Sequence, residues 1–197
     1  MGKIVCLMGR SSSGKDTIYK KLLSQDRVVL QNIVPYTTRP IRAGERDGIE
    51  YHFTDEEGFQ QLLRQGSVIE ARAYHTCLGL WRYFTVADEG IDLKRHSYMM
   101  IATLEAYAQI QKVYGPDQVL PILIELDDGV RLQRALDREK AQDQPKYEEM
   151  CRRFLADAED FSEEKIRKAG IERRFYNDEL DGCLEEIITY LQENLQQ

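Results

Sequence analysis

Gly9-Arg10-Ser11-Ser12-Ser13-Gly14-Lys15-Asp16-Thr17 has the G-x-x-x-x-G-K spacing of a loop that wraps a phosphate. Successive backbone N–H groups and a helix N-terminus converge on an anion there, and Lys15 adds a point charge for its outer oxygens. Glycines at positions 9 and 14 supply backbone angles that other residues resist. The chemistry is therefore nucleotide phosphate binding, with Ser11, Ser12, Ser13 and Thr17 as polar lining. Asp16 stands where most such loops carry a hydroxyl for magnesium. Two readings stay open for it: a hard oxygen ligand for Mg²⁺, or a first-turn carboxylate that offsets the helix dipole by about 0.3–1 kcal/mol.

A second group lies in Tyr36-Thr37-Thr38-Arg39-Pro40-Ile41-Arg42-Ala43-Gly44-Glu45, followed by Asp47-Gly48 and Tyr51-His52-Phe53. Arg39 and Arg42 sit three residues apart ahead of a glycine turn and an aromatic strand. Two guanidinium forks and the Tyr51 hydroxyl suit a dianionic monophosphate. The competing reading makes both arginines solvated loop charges and Tyr51 a core residue.

The elements around these groups alternate. Apolar runs predict strands at Lys3–Met8, Asn32–Tyr36, Tyr98–Ala102, Val119–Leu126 and Arg173–Tyr176. Helical spacing covers 15–25, 104–114, 129–142, 147–158 and 182–195, which together predict an α/β fold with a parallel sheet flanked by helices. Gly115-Pro116 should stop one helix, and Thr54-Asp55-Glu56-Glu57 resembles a capping box that starts another. Residues 37–86 interrupt the alternation with short strand-like pieces at Tyr51–Phe53, Val68–Ala71 and Tyr83–Val86, and read as an inserted subdomain. Residues 134–153, dense in charge around Pro145, read as a mobile flap.

Composition narrows the partners. At 197 residues the chain fits one domain, and 34 acidic against 27 basic residues give a net charge of −7. That balance argues against a nucleic-acid polymer or an anionic membrane. Cys6, Cys77, Cys151 and Cys183 lack metal-ligand spacing and read as free thiols of a reducing cytoplasm. No apolar run approaches the ~20 residues of a membrane span, and a strand begins within three residues of Met1, so neither anchor nor signal peptide is expected.

The run from Thr37 to Phe53, downstream of a phosphate loop, closely resembles the T-T-R-x-x-R-x-G-E-x-D-G-x-x-Y-x-F segment of the guanylate kinase family. The resemblance continues in the same order along essentially the whole chain. It implies the P-loop NTPase fold, one domain with a core at 1–36, 87–133 and 154–197, an acceptor-binding insertion at 37–86 and an arginine-bearing lid at 134–153. It also implies ATP and Mg²⁺, a nucleoside monophosphate acceptor with GMP foremost, and a monomer or homodimer. By the same resemblance Arg39, Arg42 and Tyr51 hold the acceptor phosphate and Glu70 reads the base. The altered segment Gly79…Tyr83-Phe84-Thr85 puts Tyr83 on phosphate and Thr85 near the base. Arg134 and Arg138 match the family's R-x-x-x-R helix, and Arg152-Arg153 falls where its later arginine does, with Arg153 taken as the catalytic one. Asn177, in Asn177-Asp178-Glu179-Leu180, would lie by the donor adenine.

Three departures bear on the acceptor. Pro35 replaces a serine that helps to read guanine, and proline has no N–H to donate. Ile101 and Thr103 stand in place of strand-end acids, and His75-Thr76-Cys77-Leu78 is an insertion beside the same pocket. Two other activities fit such a chain: a kinase for a ribose bisphosphate, as in relatives with G-K-D in the loop, or a non-catalytic guanylate-kinase-like binding module.

Overall fold

The computed structural model describes residues 1–42, 44–76, 79–87 and 91–195. Ala43 of the Ala43-Gly44 turn, and Cys77 and Leu78 of the expected insertion, lie outside them. Strand β1 (Ile4–Gly9) is buried along its whole length, as a central strand covered on both faces must be. Its residues alternate between two cores. Ile4, Cys6 and Met8 pack with Tyr107, Ile110, Phe161 and Ile166 on one face. Val5 and Leu7 pack with Ile18, Leu22, Ile187 and Leu191 on the other.

The main sheet has five strands in the order β2 (Gln31–Asn32), β7 (Tyr98–Ile101), β1, β8 (Val119–Glu125) and β9 (Arg174–Tyr176). Every pairing in it is parallel, with Ile4 opposite Tyr98 on one side and Val119 on the other. Helices α1 (Lys15–Ser24) and α7 (Leu180–Leu195) cover one face, and α3 (Leu104–Tyr114) covers the other. Gly115 ends α3 as expected. Helices α4 (Asp128–Lys140), α5 (Tyr147–Asp160) and α6 (Glu163–Lys168) connect β8 to β9; α6 has no counterpart among the sequence-derived helices.

A second sheet of four strands runs β4 (His52–Phe53), β3 (Tyr36–Thr37), β6 (Gly79–Val86), β5 (Val68–Thr76), with helix α2 (Glu56–Arg64) between β4 and β5. Phe59, Phe84 and Val86 form its own small core. The single strand expected over Asn32–Tyr36 is two strands in different sheets. Pro35 is the physical reason: without an N–H it cannot continue a ladder, and the chain changes sheet at that point. The cap of α2 also differs from the expected capping box, because it is the Asp55 carboxylate that accepts from Gly58 N. The β5–β6 hairpin is longer than its sequence signals, pairing Val68 with Val86 and Thr76 with Gly79. Among the described residues no helix is long and apolar enough to cross a membrane, and Cys6, Cys151 and Cys183 are free thiols.

Candidate active site

The loop between β1 and α1 is strained where a phosphate loop needs to be. Ser12 takes φ 63° and Gly14 takes φ 89°, both in the left-handed region. A Cβ at Gly14 would also collide with Asn177 Nδ2, so only glycine fits there. The Ser12 and Ser13 hydroxyls are buried without a hydrogen-bond partner among the described residues. Buried polar atoms are normally satisfied, so two orphaned hydroxyls in one loop mark a place built for a ligand. Gly14, Lys15 and Asp16 open α1, where the first N–H groups have no intrahelical partner.

The loop faces a pocket of about 350 Å³ lined by Ser12, Gly14, Lys15, Asp16, Thr17, Arg134 and Arg138. Burial pulls the Lys15 ammonium below the ordinary lysine range, Asp16 and Asp157 pull it up, and Arg153 and Arg138 push it down again. None of Lys15, Arg134, Arg138 and Arg153 has an ion-pair partner within 4.0 Å among the described residues. Arg153 Nη2 reaches Ser11 Oγ at 3.5 Å, and with Arg138 it lines the adjoining crevice between α4 and α5. Arg152 turns away and binds both oxygens of Glu149 at 2.7 Å. The structure thus separates the two adjacent arginines: one belongs to the loop and the other to the surface of α5.

Asn177 is 3% exposed and donates from Nδ2 to Ser13 O at 2.7 Å, while its backbone N–H donates to Glu125 O. It braces the loop from behind. Residues that sequence reasoning does not single out do the same from the side. Arg131 is 1% exposed; it donates to Ser11 O at 3.0 Å and to Asp128 at 2.7 Å, and stacks over Phe154. Asp157 accepts from Ser11 N at 2.7 Å, and Arg10 reaches Phe161 O at 2.9 Å. Arg131 lies one helical turn before Arg134, and in sequence it reads as one more exposed charge of α4. Nothing in the sequence pairs Asp157 with a residue 146 positions earlier.

The second sheet gathers the other set. Arg39 is 3% exposed, holds Glu45 through two nitrogens at 2.8 and 3.0 Å, and lies over the rings of Tyr51 and Phe53. Burial lowers its pKa, but the bonds to Glu45 and Tyr83 outweigh burial, so it stays charged. Burial raises the Tyr51 phenol, which keeps its proton at neutral pH. Tyr51 and Tyr83 meet edge to face with centroids 5.7 Å apart. Glu70 is buried, accepting from Thr85 Oγ1 at 2.8 Å and from Arg72 Nε at 3.2 Å. Glu70, Tyr83 and Thr85 lie on β5 and β6, and Arg39 and Tyr51 lie in the chain just outside β3 and β4, whereas the Arg42 side chain is exposed and its backbone N–H binds Glu45. Thr103, at the position of an expected acid, caps α3 by accepting from Ala106 N.

The oxygen donors at the loop mouth are Asp16 and Thr17, both exposed. No cluster of three or more metal-ligating side chains occurs among the described residues. Such a site fits a magnesium ion that keeps several waters and substrate phosphate oxygens as ligands, the usual habit of that ion.

A parallel sheet whose central strand runs through a left-handed, hydroxyl-lined glycine loop into a helix defines the P-loop NTPase fold. The sequence profile of the guanylate kinase family matches residues 1–193. The chain is 28% identical to a guanylate kinase of Chlorobaculum tepidum over 146 residues, 72% of each chain. It is 32% identical to one from Streptococcus mutans over 136 residues, 64% of this chain and 61% of that one. In structure it resembles a guanylate kinase from Anaplasma phagocytophilum, with TM-score 0.70 and 19% identity, over 100% of this chain and 87% of that one. The chain belongs to the guanylate kinase family.

Proposed function

We propose that this protein is a nucleoside monophosphate kinase that moves the terminal phosphoryl group of ATP onto the phosphate of a nucleoside monophosphate, with GMP as the foremost acceptor. The observation that carries this reading is the cluster of Lys15, Arg134 and Arg138, cations without ion-pair partners among the described residues, around a loop whose Ser12 and Ser13 hydroxyls are also unpaired. A polyanion in this pocket satisfies all of them together.

The reaction joins an acceptor phosphate oxygen to the terminal phosphorus as the bond to the bridging oxygen breaks. A phosphate monoester is largely dianionic at neutral pH, so the attacking oxygen needs no protein base. The protein contributes alignment and charge neutralisation. Gly9, Ser11, Ser12, Ser13 and Gly14 form the cradle, with Lys15 at the outer phosphates and Asn177 on the donor side. Arg134, Arg138 and Arg153 offset charge on the migrating group. Arg39, Arg42, Tyr51 and Tyr83 hold the acceptor phosphate, and Glu70 and Thr85 face its base. Asp16, with Thr17 beside it, is the proposed protein contact of Mg²⁺, which when bound neutralises phosphate charge. Residues 37–86 act as the acceptor-binding insertion, and 134–153 as a lid whose closure excludes water that would otherwise take the phosphoryl group. A soluble protein of the cytoplasm, with small nucleotides as partners and acting as a monomer or homodimer, suits this role.

The test is ADP release from ATP in the presence of GMP, other nucleoside monophosphates, or ribose 1,5-bisphosphate. Turnover that depends on a nucleoside monophosphate supports the reading. Turnover with the sugar bisphosphate alone, or none with any acceptor, would overturn it in favour of a sugar-phosphate kinase or a binding module.

A further inference from the structure

We infer that Arg72 and Glu70 act as a pair that reads adjacent C=O and N–H groups of the acceptor base, so that the acceptor class is the 6-oxopurine monophosphates and IMP serves nearly as well as GMP. The inference rests on the kinase reading above, and adds to it a specificity residue and a substrate range.

Alternate residues of a strand share a face, which puts Glu70 and Arg72 side by side on β5. The hairpin register sets them opposite Thr85 and Tyr83 of β6. The Glu70 side chain is 2% exposed and that of Arg72 19%. Thr85 takes one carboxylate oxygen of Glu70 and Arg72 Nε takes the other, but a carboxylate offers about four lone-pair sites, so acceptor capacity remains. Arg72 spends only Nε on this contact. Its two Nη groups make no hydrogen bond among the described residues, so their N–H groups remain available to a ligand. Arg72 lies opposite Tyr83 across the hairpin, and Tyr83 meets Tyr51 edge to face, so the pair borders the Arg39–Tyr51 cluster.

Other base-reading groups are missing or already engaged. Pro35 has no N–H, Ile101 is apolar, and the Thr103 hydroxyl caps α3. The Thr85 hydroxyl proton is spent on Glu70, so what is left is one acceptor, Glu70, beside one donor, Arg72. A 6-oxopurine offers the complement, an N–H for Glu70 and a C=O for Arg72. Adenine reverses both groups and would leave the buried pair facing its own kind, which is how polar sites reject a wrong base. The 2-amino group that separates GMP from IMP meets no carboxylate at positions 101 and 103, so the two should be discriminated weakly.

The experiment compares kcat/KM for GMP, IMP and AMP in the wild type, Arg72→Met and Arg72→Gln. In the wild type, IMP should lie within about tenfold of GMP, and AMP at least about a hundredfold below. Loss of a charge-assisted contact predicts that Arg72→Met lowers GMP and IMP together by about tenfold to a hundredfold, with AMP and the KM for ATP changed by less than about twofold. Arg72→Gln retains an N–H donor and should recover part of the loss. Equal losses for all three acceptors would make Arg72 structural and end the inference, as would IMP more than about a hundredfold below GMP. If no monophosphate turns over, the kinase reading fails, and calorimetry on the ATP-free protein still decides recognition. GMP and IMP binding that Arg72→Met abolishes supports the pair, and AMP binding as tight as GMP overturns it.

Discussion

Lys15, Arg134 and Arg138 surround the loop pocket without ion-pair partners among the described residues, whereas Arg39 beside the smaller sheet and Arg72 within it are tied to Glu45 and Glu70. Charge near the loop is held in reserve for a ligand, and the cost appears as a depressed Lys15 pKa and orphaned hydroxyls. Arg39 and Arg72 already have carboxylate partners within the protein, so on the proposed reading they orient the acceptor more than they add free charge to bind it. On the proposed kinase reading, the contrast gives affinity for a highly charged donor to one region and choice of acceptor to the other.

The largest effect should come from removing the reserved charge. Lys15→Met is expected to lower kcat by about 10²–10³-fold or more in the coupled assay. It should leave the melting temperature of the ligand-free protein unchanged or higher, because it deletes an unpaired, partly desolvated cation. The pH dependence sharpens this. A lysine depressed in the folded state binds fewer protons there than in the unfolded chain at pH values between its folded pKa and about 10.4. Ligand-free stability should therefore rise with pH through that window, and denaturant melts of Lys15→Met should lack the rise. A strongly destabilised Lys15→Met would mean that the charge is not held in reserve.

Arg39→Ala tests the opposite behaviour and should cost both function and stability. Breaking its bonds to Glu45 is expected to destabilise by about 1.5–3 kcal/mol and to raise the acceptor KM at least about tenfold, with the KM for ATP nearly unchanged. Comparable losses on both substrates would place Arg39 on the donor side. A milder contrast comes from ionic strength. Raising salt from about 0.05 to 0.5 M should raise the KM for ATP several-fold, and the acceptor KM by less, since exposed unpaired charges are the ones screened. The smallest expected effect is at Asp16. As a magnesium contact, Asp16→Ala should increase the Mg²⁺ needed for half-maximal activity by a few-fold, and Asp16→Ser should recover part of it. A helix-dipole role predicts instead a small fall in melting temperature with an unchanged Mg²⁺ titration.

The phosphate loop is legible in the sequence because its requirements are local. Gly9, Gly14 and Lys15 act through backbone angles and a helix end that nine consecutive residues encode. The central strands are legible too, since a strand buried on both faces must be apolar throughout, as Ile4–Gly9 and Val119–Glu125 nearly are. Pro35 is visible as a lost donor, but the same missing N–H also sends Tyr36–Thr37 into another sheet, a consequence that depends on which strands lie nearby. The exposed helix α5 illustrates the limit: neighbours Arg152 and Arg153 look alike in sequence and have different fates, since about 100° of helical rotation points one at Glu149 and the other toward the loop.

Sequence by itself determined the phosphate loop, the parallel α/β plan, the family resemblance and the loss of base-reading groups at Pro35, Ile101 and Thr103. Each of these depends on residue type at short spacing or on the order of motifs. Tertiary structure alone decided that Arg131 and Asp157 clamp Ser11, that Asn177 supports Ser13, and that Arg72 shares Glu70 with Thr85. Most of these partners lie far apart in the chain, and a buried charge is paired by whatever group the fold brings within hydrogen-bond distance. Linear spacing carries no record of that choice.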